Sequence, residues 1–184
     1  MRIASFFLFL FISTANGQVD DLFYSNDGKI SFRSESKQEL INASSNEMQG
    51  IIDEKKKTFV FKVMIRTFKG FNSELQQEHF NEKFLESEKF PEATFLGKII
   101  EDINFDKDGT FEIRAKGKLW IHGVEKERII RSTVTISNGS IKVQSDFTVA
   151  LSDHNIKVPK VVHEKVSSEI SVEISTQLKK KTSN

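Results

Sequence analysis

Alternation of apolar and charged residues is the feature that most constrains the fold of this chain. Residues 111–121 read FEIRAKGKLWI: the odd positions are apolar or small, and the even positions are charged except for Trp120. A period of two places the apolar residues on one face, as in an antiparallel strand with one side buried and the other in water. The same period recurs around Phe59, Val134, Val143 and Val172. It predicts about eight strands without βαβ alternation, which is typical of one antiparallel all-β domain.

Turn residues separate the strand-like runs. Asn138-Gly139 and Asp108-Gly109 each stand between two apolar runs, which favours tight connections between neighbouring strands. Weaker strands are predicted at Leu40-Ile41 and at Ile51-Ile52. Several runs are longer than a typical strand, and long antiparallel strands in this number close readily into a barrel, because closure removes exposed edges. Such a barrel is either filled by side chains or holds one ligand.

The predicted interior is apolar, but its packing is left open. The chain has 17 Phe against 1 Tyr and 1 Trp, and Phe carries apolar surface without a polar group. Ala115 and Gly117 interrupt an inward row of large residues. Small residues there either leave room for a cavity or mark a bend where two strands come close.

The N-terminus is predicted to lie outside the folded domain. Arg2 precedes an apolar run at residues 3–12, and small residues follow at 15–17. This order is typical of a secretory signal peptide, and the run is shorter than the ~20 residues that span a bilayer. We therefore predict a signal peptide at 1–17, one domain at 18–184, and a periplasmic or secreted protein that does not span a membrane.

Charge and cysteine content argue against several classes of protein. The chain has 27 basic and 26 acidic side chains, a balance without the basic excess of nucleic-acid-binding domains. It has no cysteine, which excludes disulfides, thiol catalysis and Cys-ligated zinc. We find no glycine-rich phosphate loop and no nucleophile elbow. No cofactor, metal or nucleic-acid partner is therefore predicted.

One segment, at residues 72–88, departs from the strand pattern. Ser73 is a typical N-cap residue, and the residues of one helix face, mostly apolar, follow at helical spacing: Leu75, His79, Phe80, Phe84 and Leu85. The helix should end before Pro91, because the residue preceding a proline disfavours the α conformation. A second short helical turn is predicted at residues 159–168.

The predicted helix also carries a histidine among glutamates. Glu78 and Glu82 lie one turn apart, whereas His79 projects about 100° away from them. A metal normally needs three or four convergent ligands. The spacing favours a solvated acidic face, and a hydrolase that uses His79 with Glu78 or Glu82 is kept as an alternative.

Several segments resemble the YceI family. Residues 71–95 (FNSELQQEHFNEKFLESEKFPEATF) resemble its signature, in which a short helix is followed by a segment of the form F/Y-P-x-A-x-F that enters the next strand. Residues 117–124 (GKLWIHGV) resemble its strand ending in His-Gly-Val, and the segments at 28–32, 147–149 and 155–159 also agree. The chain departs from the family after Val124, where Glu-Lys-Glu replaces Thr-Lys-Pro.

The resemblance implies an all-β fold, an eight-stranded antiparallel lipocalin-like barrel with one or two short helices. It also implies an apolar pore that binds a polyisoprenoid or another amphiphilic, isoprenoid or fatty-acyl lipid, without catalysis. The residues expected to face this ligand, or to pack the core in its place, are Phe59, Phe61, His79, Phe80, Phe84, Phe95, Phe111, Ile113, Gly117, Leu119 and Phe147. His79 would either meet a headgroup at the barrel mouth or pack under the helix.

Two further points stay open at this level. Parity places Trp120 and His122 on the outer face or rim, unless a bulge at Gly123 re-aims His122. The barrel could also act only as an interaction module, which a large exposed apolar patch would favour, and a homodimer is compatible with either function.

Overall fold

A closed antiparallel barrel confirms the predicted fold class. The computed structural model describes residues 22–180, so the predicted signal peptide lies outside the described residues. Each strand pairs with its neighbour in the chain, and the last strand pairs with the first. The strands are β1 Leu22–Glu35, β2 Leu40–Asp53, β3 Thr58–Met64, β4 Glu92–Ile99, β5 Gly109–Ile121, β6 Val124–Ser137, β7 Ser140–Ala150 and β8 Glu169–Lys180.

The two weak strands predicted near residues 40 and 51 are one strand in the structure. β2 pairs with β1 along almost its whole length, from Leu40↔Glu35 to Asp53↔Leu22. Its middle, NASSNEMQG, is too polar to show a clear alternation. Pairing with β1 supplies the hydrogen bonds that local propensity does not predict.

Short helices lie between some of the strands. α1 spans Glu74–His79 and continues into a π-helical turn at Phe80–Phe84. Three-residue to four-residue 3₁₀ segments lie at Ile65–Thr67, Leu151–His154 and Lys160–Val162. None of the helices within residues 22–180 is long and apolar enough to cross a membrane.

The predicted helix is present, but its apolar face differs from the expected one. The Ser73 side chain accepts a hydrogen bond from the Gln76 amide, at 3.2 Å, and so caps α1 as expected. The π-helical turn then adds one residue, and the Leu85 amide donates to Phe80 O at 2.9 Å. The added residue rotates the positions that follow it, and Leu85 is buried; Leu75, which precedes the turn, is 59% exposed.

The two ends of the barrel are built differently. At one end, which we call the closed end, residues 100–108 fold under the strands and bury Ile103 and Phe105 against Phe23 and Leu178. At the other end, residues 65–91 cross the opening with α1 and the π-helical turn. We call this segment the lid. The interior therefore has a packed floor and a helical cover.

Gly97 and Gly117 mark the place where β4 and β5 approach most tightly. They are register partners, and a Cβ on Gly117 would lie 2.2 Å from Leu96 O. At Gly117 the close-approach interpretation of the small residues is therefore the right one. Ala115, one inward position along β5, lines the cavity instead.

Candidate functional site

An apolar cavity occupies the interior of the barrel. Its volume is about 230 Å³, and it extends from Phe105 at the closed end to Phe84 and Leu85 under the lid. Ile113 and Val134 contribute to its walls. Burying an apolar chain in such a space is favourable by ~0.8 kcal/mol per CH₂. The cavity suits a narrow hydrocarbon chain rather than a polar metabolite.

Most of the residues predicted to face a ligand line this cavity. Those that do are Phe59, Phe61, Phe80, Phe84, Phe95, Ile113, Leu119 and Phe147. Three predicted residues lie elsewhere. His79 is exposed on α1, Phe111 packs against the core near the closed end, and Gly117 is covered by the backbone of β4.

An aromatic cluster beneath the lid was only partly predicted. The rings of Phe32 and Phe80 are stacked, with centroids 5.2 Å apart. Phe68 and Phe71 also pack on Phe80, at 5.8 and 5.0 Å. The alternation of Ile30 with Phe32 in β1 could have identified Phe32 as a lining residue. Phe68 and Phe71 stand in a connection without periodicity, so no sequence pattern indicates where they face.

One edge of the lid is attached to the β1–β2 side of the barrel. The Asn72 side-chain amide donates to Leu40 O at 3.0 Å, and that of Gln76 donates to Glu39 Oε1 at 2.9 Å. The backbones of Ser44 and Lys69 exchange two hydrogen bonds of 2.8 Å. These contacts fix the start of the lid on β2.

The other edge of the lid is attached through His122. Its φ of 52° and the 72° of Gly123 make a two-residue turn of left-handed conformation between β5 and β6. His122 Nδ1 donates to His154 O at 3.1 Å, and Nε2 lies 2.6 Å from Glu86 Oε2 in the lid. The predicted alternation therefore ends at Ile121. A left-handed turn, rather than a bulge, aims His122 at the lid.

His154 links the segment after β7 to the start of β6. Its side chain is fully buried, and Nδ1 donates to Val124 O at 3.1 Å. Burial lowers the pKa of His154 below its ordinary value of 6.5, against the opposing effect of the hydrogen bond to Val124 O. The ring is therefore held neutral, as a structural link rather than a charged group.

The acidic cluster on the helix is not assembled into a site. Glu78, His79 and Glu82 are all exposed to solvent. Within residues 22–180, no three His, Asp or Glu side chains are grouped so that they could hold a metal ion. The cluster has neither the enclosed cleft nor the convergent groups that an acid–base site requires.

Comparison with known proteins agrees with the barrel architecture. The model of the YceI-like domain matches residues 5–178 of the chain. No curated protein matches it.

Three solved structures illustrate the structural similarity. A polyisoprenoid-binding domain from Saccharophagus degradans, implicated in plant cell wall breakdown, aligns with a TM-score of 0.73 at 12% identity, over 88% of this chain and 99% of that one. BcnA from Burkholderia cenocepacia aligns with a TM-score of 0.68 at 14% identity, over 82% and 95%. The Campylobacter jejuni YCEI protein gives 0.54 at 15% identity, over 99% and 94%. At these identities the likeness shows the fold.

Proposed function

This chain belongs to the YceI-like domain family, and from that premise we propose that its barrel holds a polyisoprenoid or another long-chain amphiphilic lipid. The observation that carries the proposal is the cavity, whose lining is formed almost entirely by apolar side chains between the closed end and the lid. The S. degradans domain, which binds polyisoprenoid by its description, supports the choice of ligand class.

We further propose that the protein is exported and works without catalysis. The apolar run at residues 3–12 behind Arg2 supports a cleaved signal peptide and a periplasmic or secreted location. The exposed positions of Glu78, His79 and Glu82 count against the hydrolase alternative. In this function the protein binds and releases its lipid without changing it.

Ligand binding is tested first on the mature chain as it is purified. Native mass spectrometry should show a co-purifying apolar molecule that organic extraction removes. Adding a polyprenol back to the stripped protein should raise its melting temperature, because a ligand that binds only the folded state stabilises it. A stripped protein whose melting temperature does not respond to polyprenols or fatty alcohols would contradict the proposal.

A matched pair of variants locates the binding in the pore. Ala115 lines the cavity, and Lys116 is its outward-facing neighbour on β5. Ala115→Leu should weaken polyprenol binding by about tenfold or more, since the added side chain fills space that the lipid needs. Lys116→Leu should leave binding unchanged, because it alters only the outer face. Equal effects of the two changes would place the lipid outside the pore.

One surface feature favours the interaction-module alternative, with a second copy of this chain as the partner. Tyr24, Ile51, Val60 and Leu96 are register neighbours across β1 to β4 and form an exposed apolar row on the outer face. Lys179 continues this row on β8.

At the β4 end the row continues into Lys118 on β5, the register partner of Leu96. A two-fold axis through the apolar residues would pack them against the same residues of a second copy, with a lysine at each end of the row. Light scattering of wild type and Val60→Glu tests this alternative, which fails if the wild type is monomeric at high concentration.

A further inference from the structure

β6 and β7 are paired only in the half of the barrel near the closed end. Their pairs run from Ser137↔Ser140 to Thr133↔Gln144. β6 nevertheless extends back to Val124, and β7 continues to Ala150. The two strands thus separate toward the lid, and we call the gap between residues 124–132 and 145–150 the β6–β7 split.

Side chains bridge the split where the backbone ladder is missing. The Ser145 hydroxyl donates to Arg131 O at 2.6 Å. Nearer the lid, Arg128 Nη2 donates to Thr148 O at 2.8 Å. Directly inside, Ile130 and Phe147 line the cavity. The split is therefore a boundary between solvent and the apolar interior, and it is held by side-chain hydrogen bonds.

Along β6, the inward-facing positions change from apolar to basic residues at this boundary. Ile136, Val134 and Ile130 are buried. The next positions of the same parity are Arg128 and Lys126. Two residues along a strand cover about 7 Å, so the Arg128 backbone stands about 7 Å beyond the last apolar lining residue of β6. Arg128 is therefore the first inward-facing residue of β6 that a hydrocarbon chain would meet on leaving the cavity along this strand.

The charge of Arg128 is left without an acidic partner. The glutamates on either side of this row face outward, where Glu127 pairs with Lys116 and Glu125 with Lys118. Within residues 22–180, no carboxylate lies in salt-bridge range of Arg128, whereas the two glutamates of β6 are paired with lysines of β5. A guanidinium has five N–H donors, and the hydrogen bond to Thr148 O uses only one Nη group.

A second polar group lies on the cavity side of Arg128. Ser132 is buried and lines the cavity at the point where the ladder ends. Lys126 is a weaker candidate for binding an anion, because the carboxylate of Asp153 acts on the same neighbour, His154, with the opposite charge. Arg128 therefore keeps hydrogen-bonding capacity at the rim of the apolar pore.

We propose that Arg128 binds the anionic headgroup of a lipid whose tail lies in the cavity. A phosphate or a carboxylate fits, because both accept the paired hydrogen bonds that a guanidinium donates. The inference rests on the proposed lipid-binding function and adds to it the chemistry of the headgroup and its place at the β6–β7 split. It selects anionic amphiphiles over neutral ones of the same chain length.

Matched lipids with and without charge test this site. The stripped mature protein is titrated with farnesyl phosphate and farnesol, and with dodecanoate and dodecanol. The anionic member of at least one pair should bind about tenfold more tightly, the increment expected of a charge-assisted hydrogen bond. The two pairs distinguish a phosphate site from a carboxylate site. Raising the salt concentration should reduce the preference without changing the affinity for the alcohols.

Variants on β6 assign the preference to one residue. Arg128→Gln should abolish the preference for the anionic lipid and leave the affinity for the alcohol within about twofold. Arg128→Lys should keep part of the preference, because it retains the charge but not the planar pair of donors. Arg131→Gln is the control, since Arg131 is exposed on the same strand and faces outward.

Each failure has a distinct meaning. If all four lipids fail to bind, the lipid-binding function fails and the headgroup site fails with it. If the alcohols bind as tightly as the anions, or if Arg128→Gln weakens both alike, the pore is supported but the headgroup site is overturned. Should Arg128→Gln not fold, Arg128→Lys and the salt dependence of the wild type still decide between these outcomes.

Discussion

His122 shows how one residue can tie three parts of the barrel together. It stands in the β5–β6 turn, its Nδ1 donates to the segment after β7, and its Nε2 meets Glu86 of the lid. The ring of Phe90 packs edge-on against it, with centroids 4.7 Å apart. Alternation along β5 cannot predict this role, because a left-handed turn breaks the relation between parity and facing direction.

Replacing His122 should therefore loosen the lid. Asn accepts the left-handed conformation of this turn position, but it is too short to reach Glu86 and His154 O together. We expect His122→Asn to lower the free energy of unfolding by ~1 kcal/mol, measured by urea denaturation. Asn138→His, at the left-handed position of the β6–β7 turn, should have little effect. A His122→Asn protein as stable as the wild type would contradict the proposed attachment.

His154 should make stability depend on pH near neutrality. Its pKa is lowered by burial below 6.5, so protonation costs more in the folded than in the unfolded protein. Its contribution is complete above pH 6.5 and is lost as the pH falls toward the folded-state pKa. The free energy of unfolding should therefore decrease between pH 7 and pH 5.

A variant without an ionisable group at position 154 isolates this effect. His154→Gln removes the ionisable group and keeps an amide donor for Val124 O, so the decrease between pH 7 and pH 5 should become smaller. His163→Gln, at an exposed position, should retain the full decrease. The carboxyl groups with a lowered pKa, such as Asp53 and Glu101, act at lower pH, since their ordinary values are 3.8 and 4.5. An unchanged pH profile in His154→Gln would disprove the assignment.

Among the elements, the lid depends most on tertiary packing. α1 has only six residues, too few for a stable isolated helix. The rings of Phe32, Phe68 and Phe71 around Phe80 hold the lid in place. The stability of this element therefore comes from the aromatic cluster rather than from helix propensity.

Removing Phe80 should open the lid more often. Phe80→Ala should lower the free energy of unfolding by ~2 kcal/mol, less than a fully buried Phe because the ring is only partly buried. It should also speed hydrogen exchange of the lid amides and release of a bound polyene probe. Leu75→Ala is the control, since Leu75 is 59% exposed on the same helix. Equal exchange rates in both variants would show that the cluster does not hold the lid.

Strands and lid also differ in how far the sequence predicted them. β5 alternates cleanly, so its inward residues Ile113 and Leu119 were identified from the sequence, because strand parity is a local property. The outer position of His79 was not predicted, since it depends on how the lid crosses the barrel. The close approach at Gly117 was one of two interpretations, because only the position of β4 decides between a void and a contact.

For the whole molecule, the seam between β1 and β8 completes the barrel. These strands come from opposite ends of the described chain and pair through partners such as Ser31↔Glu173. Such distant contacts form only after a large loss of chain entropy, so we expect the barrel to fold slowly. The pairing within the seam then controls how cooperatively the barrel unfolds.

A disulfide across this seam should stabilise the whole barrel. The chain has no cysteine, so Ser31→Cys with Glu173→Cys gives a single defined pair on the outer face. Closing a loop of more than 100 residues restricts the unfolded chain and should raise the free energy of unfolding by about 4 kcal/mol. This is measured as the difference in free energy of unfolding between the oxidised and the reduced protein. Ser31→Cys alone should show no difference. A pair that does not oxidise in the folded protein would contradict the register.

The packed floor at the closed end has a kinetic consequence. With Ile103 and Phe105 buried below the cavity, the cavity is closed at that end. A bound lipid must therefore leave on the same side through which its replacement arrives. Two lipid molecules cannot pass each other in so narrow a cavity, so one must leave before the next can enter. The rate of replacement should then be set by departure alone and should not increase with the concentration of the competitor.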